Sequence, residues 1–421
     1  MFNNRTLISS FASVATLLVF NKPWTIYGDA ISDDWRLDGP IKMTSPCMIK
    51  VKVTMLEGGG SRNSLACEMS PEDGGRTVPI QGNARRSAGD DIVSGVSTLF
   101  SPEALLYPDR LLIPEEASVE MGELVRAQNA SVEGDMKILI VRVVARDVAV
   151  SFTEEELSDG IFGTFGDSVN LKSQYDSCSY GKVNVIPVAD QIEPKVTNGV
   201  VTMNIDMKVN GADSSTVEFA VKDKYYDMGF SQPDVGGYVV FCIPSGTTFG
   251  GDYWIGYAYI NSWESFYNDD WCTYVSIQMH EVGHNINLDH SGQGGDEYND
   301  GSGVMGYSYA EDDTPVMCFT APKYWQVGWY DDRIATLSTA WKGEIVGIAE
   351  YDLSEEGQYV AVRIKGSTVG ARRDYFISFN RMKDGTCISD TRESPNKVLI
   401  HSREPGTGVA LSELVAAKKS R

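Results

Sequence analysis

Gln278-Met279-His280-Glu281-Val282-Gly283-His284-Asn285-Ile286-Asn287-Leu288-Asp289-His290-Ser291 is the stretch on which the reading of this chain turns. His280 and His284 stand one turn apart on one helix face, because side chains at i and i+4 lie above one another. Both imidazoles then reach a single metal ion, while Glu281 points beside it toward a water. His290 would leave that face if the helix continued, so the chain must turn sharply between His284 and His290. Asn287 suits that turn, since asparagine is among the few non-glycine residues that tolerate positive φ. The chain has four histidines, and three of them fall here. The bland alternative, core or surface histidines on an ordinary helix, does not account for that concentration. A purely structural zinc site usually closes its shell with four protein ligands, whereas three histidines leave a position open.

Working outward, His-Glu-x-x-His-x-x-Asn-x-x-His resembles the metzincin signature, with asparagine where glycine is usual. Gly303-Val304-Met305-Gly306-Tyr307 resembles the methionine turn of that clan. The resemblance implies that Met305 forms an apolar floor beneath the metal and that Tyr307 swings toward the scissile carbonyl. A plain turn or core tyrosine is the competing role for Tyr307. Asn170-Leu-Lys-Ser-Gln-Tyr-Asp-Ser-Cys178-Ser-Tyr-Gly181, together with Gly303 to Tyr309 followed by Cys318, resembles the gametolysin family of metallopeptidases. The likeness covers residues 136–335 well, the C-terminal region loosely and the N-terminal region poorly. It implies an α+β, metzincin-like zinc peptidase domain, a twisted mixed sheet with an active-site helix. It also implies extracellular proteolysis, with a matrix or cell-wall glycoprotein as substrate. In that chemistry His280, His284 and His290 hold one Zn2+, which brings the pKa of a water toward neutrality. Glu281 takes the proton and passes it to the leaving amine. The metal and Tyr307 stabilise the oxyanion.

The chain has 421 residues, 42% of them hydrophobic, which is enough for two or three cored domains. A net charge of -22 would repel nucleic acid and anionic lipid, so neither is expected as a partner. Arg5 followed by the apolar run Leu7 to Phe20 reads as a secretory signal peptide, residues 1–21. The run is about 14 residues, short of the roughly 20 that span a bilayer, and no later segment provides stable membrane insertion. Export makes disulfides the expected state of most of the seven cysteines. Cys47 and Cys67 are close enough in sequence to pair locally, four more fall in the central region, and Cys387 is left over. The tripeptide Asn129-Ala130-Ser131 is a glycosylation sequon.

Four segments follow: the signal peptide, an N-terminal β-rich region (22–134), the catalytic domain (135–335) and a C-terminal β-rich domain (336–421). Ile49, Val51 and Val53 alternate with Lys50, Lys52 and Thr54, as in a half-exposed strand. Lys137 to Val144 is a central strand, and Thr153 with Glu156 forms a capping box for a helix. A second helix spans Leu171 to Tyr180 and stops at Gly181. Strands follow at Val183 to Val188 and Tyr238 to Ile243. Tyr257 to Ile260 is either an edge strand that pairs with extended substrate or an internal, fully paired one. Gly294 to Gly301 clusters oxygen ligands that suit Ca2+, although a solvated acidic loop has the same composition. His401 reads as an ordinary structural histidine.

The N-terminal region is a candidate pro-segment. Cys47 or Cys67 would silence the zinc as a thiolate, unless the two form a disulfide. The runner-up function is a catalytically silent extracellular zinc-containing binding or adhesion protein. Glu281 argues against it, since a binding module gains nothing from a general base. The sequence carries no signal of oligomeric state.

Overall fold

The computed structural model describes residues 39–419, apart from 58, 71–74, 83–91, 124–130, 190–194, 232–234, 307–316 and 383–393. The signal-peptide segment, Asn129, Tyr307 and Cys387 therefore lie outside the described residues.

In the N-terminal region, β1 (Cys47–Leu56), β2 (Ser61–Glu68) and β3 (Thr77–Gly82) form antiparallel neighbours, and β4 (Ser97–Phe100) joins the start of β1. Ile49, Val78, Leu99 and Leu111 close a small core around the Cys47–Cys67 disulfide. With both cysteines in that bond, neither supplies a thiolate to a metal.

The central strand β5 (Gly134–Val144) buries both faces, as a continuous β-branched run should. Ile138 and Ile140 face one core, while Leu139, Val141 and Val143 face the other. Helix α1 (Glu154–Phe162) starts at the Thr153–Glu156 capping box. Helix α2 (Leu171–Ser179) is capped by Tyr180 at φ 54°, whose N–H turns back to Asp176 O and Ser177 O, and the expected Gly181 follows at φ 74° with its N–H on Asp176 O at 2.8 Å. Next come β6 (Val183–Pro187), β7 (Val200–Asn204), α3 (Ser214–Asp227), β8 (Tyr238–Ile243), β9 (Trp254–Tyr259) and β10 (Glu264–Asn268). β6, β7 and β8 run parallel to β5, β10 runs parallel to β8, and β9 returns antiparallel to β10. This is a mixed α+β sheet.

β9 is not an edge. Its outer side is taken by β1, antiparallel, with Tyr257 opposite Thr54 and Tyr259 opposite Lys52. The half-exposed reading of β1 is corrected accordingly, because both its faces are covered. Lys50 and Lys52 are each 3% exposed. Lys50 pairs with Glu68 at 3.1 Å and Lys52 with Glu218 of α3 at 2.6 Å.

Helix α4 (Val275–Asn285) carries the motif and leads to the short strand β11 (Ser291–Gly292). After α5 (Ala321–Gln326) come β12 (Ile334–Leu337), β13 (Ala361–Ile364), β14 (Asp374–Asn380), β15 (Lys397–Arg403) and β16 (Ser412–Lys419). These five strands and β11 make one six-stranded sheet, so the strand that follows His290 is stitched to the C-terminal region.

Candidate metal centre

Helix α4 is buried on every side from Ile277 to Asn285, and two glycines allow it to sit so deep. A Cβ on Gly283 would come within 2.5 Å of Met305 Sδ, so glycine lets the methionine pack directly under the helix. A Cβ on Gly256 of β9 would come within 2.9 Å of Glu281 Oε1, so the carboxylate lies against bare backbone. The disulfide Cys242–Cys272 ties β8 to the approach of the helix, and Gln278 Nε2 donates to Cys272 O at 2.7 Å. A third disulfide, Cys178–Cys318, joins α2 to the segment after the methionine turn.

The helix ends where the sequence requires. Asn287 takes φ 76°, and Leu288 N–H returns to Gly283 O at 3.0 Å. That reversal brings His290 back over the helix. The ligand atoms of His280, His284 and His290 all lie within 4.8 Å of one another. Backbone carbonyls fix two of the rings: His280 Nδ1 donates to Val304 O and His284 Nδ1 to Leu288 O, each at 2.8 Å. Those bonds set the tautomer and leave Nε2 as the ligand atom.

The electrostatics suit a cation. Burial, reinforced by the neighbouring His290 ring, lowers the His280 pKa to about 3. Burial, then His290 and His280, takes His284 well below its ordinary value. Both rings are therefore neutral, with lone pairs available. Burial raises Glu281 well above the usual carboxylate range, and neither of its oxygens has a hydrogen-bond partner among the described residues. Buried polar atoms without partners are rare in native structures. His284 Nε2 and His290 Nε2 are in the same condition. A divalent ion with a water beside Glu281 satisfies all of them, so the residues fit the metal.

A layer of carboxylates and C-terminal side chains holds the centre. Glu297 Oε2 lies 3.3 Å from His290 Nδ1, and its other oxygen accepts from the Ser61 hydroxyl of β2. Asp300, 0% exposed, accepts from Ser291 Oγ at 2.6 Å and pairs with His401 Nε2 at 3.0 Å. Ser412 N–H donates to His290 O at 3.1 Å. Arg403 holds Gln326 at 2.7 Å, and Gln326 donates to Asn287 O at 2.5 Å. Of the expected site residues, His280, Glu281, His284, His290 and Met305 come together here; Tyr307 is outside the described residues. The acidic loop sends its carboxylates in separate directions: Glu297 to His290, Asp300 to His401, and Asp296 to the N–H of Tyr298 at 3.0 Å. Sequence reasoning did not assign Glu297, Tyr298, Asp300 or His401 to the centre. The one signal available was the acid cluster, which reads as a solvated loop or as oxygen ligands for Ca2+ and not as imidazole partners.

A buried helix presents two histidines and a glutamate, a turn returns a third histidine, and a methionine packs beneath, which is a site able to hold a metal ion. The sequence model of the Gametolysin peptidase M11 family matches residues 136–402, and the chain belongs to that family. The match reaches into β15 as far as residue 402, so it takes in His401. No curated protein matches the chain. It is therefore a peptidase of a metallopeptidase family, with a protein substrate and a histidine site for a metal ion. No described helix is long and apolar enough to cross a membrane.

Proposed function

We propose that this chain is a secreted zinc endopeptidase acting on extracellular matrix or cell-wall glycoproteins. The observation that carries the reading is the convergence of three imidazoles beside an unpartnered, buried Glu281. A zinc ion held by His280, His284 and His290 supplies Lewis acidity and makes a neighbouring water more acidic. Glu281 accepts a proton from the attacking water as its oxygen bonds to the carbonyl carbon. The carbonyl π pair moves onto oxygen. Its return breaks the C–N bond, and Glu281 delivers the proton to the departing amine. Burial raises the proton affinity of Glu281, which suits a group that must hold a proton between the two transfers. Met305 keeps the floor dry and apolar. Three disulfides support export, since such bonds persist in oxidising compartments.

Latency belongs to the same reading. An extended peptide adds to a free strand edge. Here β1 occupies the outer edge of β9, and β2 places Ser61 on Glu297 behind His290. In this arrangement Glu281 is 1% exposed and the three histidines 0%. Substrate gains the β9 edge when β1 leaves it, so the N-terminal region acts as an inhibitory segment by strand occupancy. Sequencing the N-terminus of active secreted protein checks this point; full activity with β1 intact and paired refutes it.

The decisive experiment for the activity is metal analysis beside cleavage of casein by wild type and Glu281→Gln. Both proteins should carry about one zinc per chain, as three histidines and an open position require, and only wild type should cleave. Equal cleavage by the two proteins removes the mechanism.

A further inference from the structure

Tyr298 sits on the acidic loop after His290, and its ring lies against the metal ligands. The ring centroids are 4.1 Å apart for Tyr298 and His290, and 5.8 Å for Tyr298 and His280, the latter pair nearly parallel at 16°. The loop is held at both ends. Its start is β11, paired with β16, and Asp300 is clamped by Ser291 and His401. The Tyr298 N–H is fixed on Asp296. The phenol oxygen is buried and has no hydrogen-bond partner among the described residues. Ser61, its neighbour from β2, gives its own proton to Glu297. The hydroxyl is thus a buried donor on a ring packed against two of the three histidines. The Tyr267 phenol is also buried without a partner, but it lies in strand β10 and makes no ring contact with the histidines among the described residues.

We propose that Tyr298 is a catalytic residue, its phenol donating a hydrogen bond to the oxyanion that forms on the scissile carbonyl. The proposal rests on the peptidase reading above. A neutral donor placed in a water-poor centre and aimed where charge develops stabilises the transition state more than the ground state. No proton leaves Tyr298: the carbonyl π pair moves onto oxygen, the phenol shares its hydrogen with that oxygen, and the interaction relaxes when the C–N bond breaks.

Tyr298→Phe keeps the ring against His290 and removes one oxygen. Measured on the active secreted protein, kcat should fall about 100-fold, the usual cost of one lost oxyanion donor, with KM nearly unchanged. Zinc content should stay at the wild-type level. Affinity for a phosphinic peptide, which mimics the tetrahedral state, should fall by a similar factor in calorimetry, while affinity for a product peptide should hold. A companion Tyr307→Phe compares the other candidate donor. Wild-type kcat in Tyr298→Phe overturns the proposal, as does a loss confined to KM or a loss of kcat in Tyr307→Phe alone. If wild type itself neither cleaves nor binds the phosphinic peptide, the peptidase reading falls and this proposal falls with it.

Discussion

His401 Nε2 stands 3.0 Å from Asp300 Oδ2, and both side chains are 0% exposed. The pair lies outside the metal-ligand set, yet Asp300 holds Ser291, the residue after His290. His401 is thereby a strut between the C-terminal sheet and the residue that follows His290. His401→Ala leaves a buried carboxylate without its counterpart, at a cost of about 3 kcal/mol in stability. It also frees the loop that carries His290, and loss of such supporting contacts typically weakens metal affinity by about 10-fold or more. Competition with a chromogenic chelator, read beside thermal unfolding, measures both effects. Wild-type zinc affinity in His401→Ala, with only the melting temperature lowered, would reduce the strut to simple packing.

The close approach of Gly283 to Met305 sets two effects against each other. Glycine in a helix interior is less favourable than alanine by about 1 kcal/mol. An alanine methyl here meets Met305 Sδ at 2.5 Å and Phe319 Cε1 at 3.3 Å, and overpacking of a full core costs about 1–3 kcal/mol. Overpacking wins, since Met305 and Phe319 are both buried and have little room to retreat. Gly283→Ala should therefore be destabilised by about 1 kcal/mol net and should bind zinc more weakly, because Val304, which fixes His280, moves with the turn. Urea unfolding with a zinc titration is the check. A variant more stable than wild type contradicts this packing account.

The centre was legible because its determinants are local. Histidine spacing, Glu281 and the turn at Asn287 all lie within one short stretch, and asparagine's tolerance of positive φ predicted the observed 76°. The central strand and the Thr153 cap were legible for the same reason, as one β-branched run and one capping box. What could not be read was long-range. Lys50 and Lys52 have the alternation of an exposed face, and only the arrival of Glu68 and Glu218 makes their burial affordable. Strand β9 has the same residues whether its edge is free or taken, so the presence of β1 beside it had no local signature. His401 is 101 residues from Asp300, and nothing near it in sequence announces a partner.

Asn287 gives a direct test of the turn. With φ at 76°, glycine fits at no steric cost, whereas a β-carbon without a compensating side-chain bond costs about 1–2 kcal/mol. Asn287→Gly should fold as stably as wild type and keep its metal. Asn287→Val should lose stability and, with His290 displaced, zinc affinity as well. Zinc content after dialysis against a weak chelator distinguishes the two variants. Equal retention by both would mean that the turn is not what brings His290 to the site.

The ion pair between Lys52 and Glu218 links strand occupancy to pH. Burial alone would raise the Glu218 carboxyl, but Lys52 and then Lys222 outweigh it and hold the pKa below the ordinary 4.5. A depressed carboxyl contributes its stability above the unfolded value and loses it as pH falls through the folded one. The β1 contact with α3 should thus be constant near neutrality and weaken only below about pH 4.5. Lys52→Met removes the larger opposing charge. Glu218 then titrates at higher pH, and the acid-induced loss begins earlier. At neutral pH the variant should lose about 3 kcal/mol, the cost of breaking a buried pair from one side. If β1 blocks the β9 edge, the same substitution should raise casein cleavage by the full-length chain even as it lowers the melting temperature. Thermal unfolding from pH 7 to pH 3, with cleavage assayed at pH 7, reads all three outcomes. Superimposable pH curves would separate the Lys52–Glu218 pair from the stability of this contact. A fall in cleavage that parallels the fall in stability would mark β1 as part of the working enzyme rather than its inhibitor.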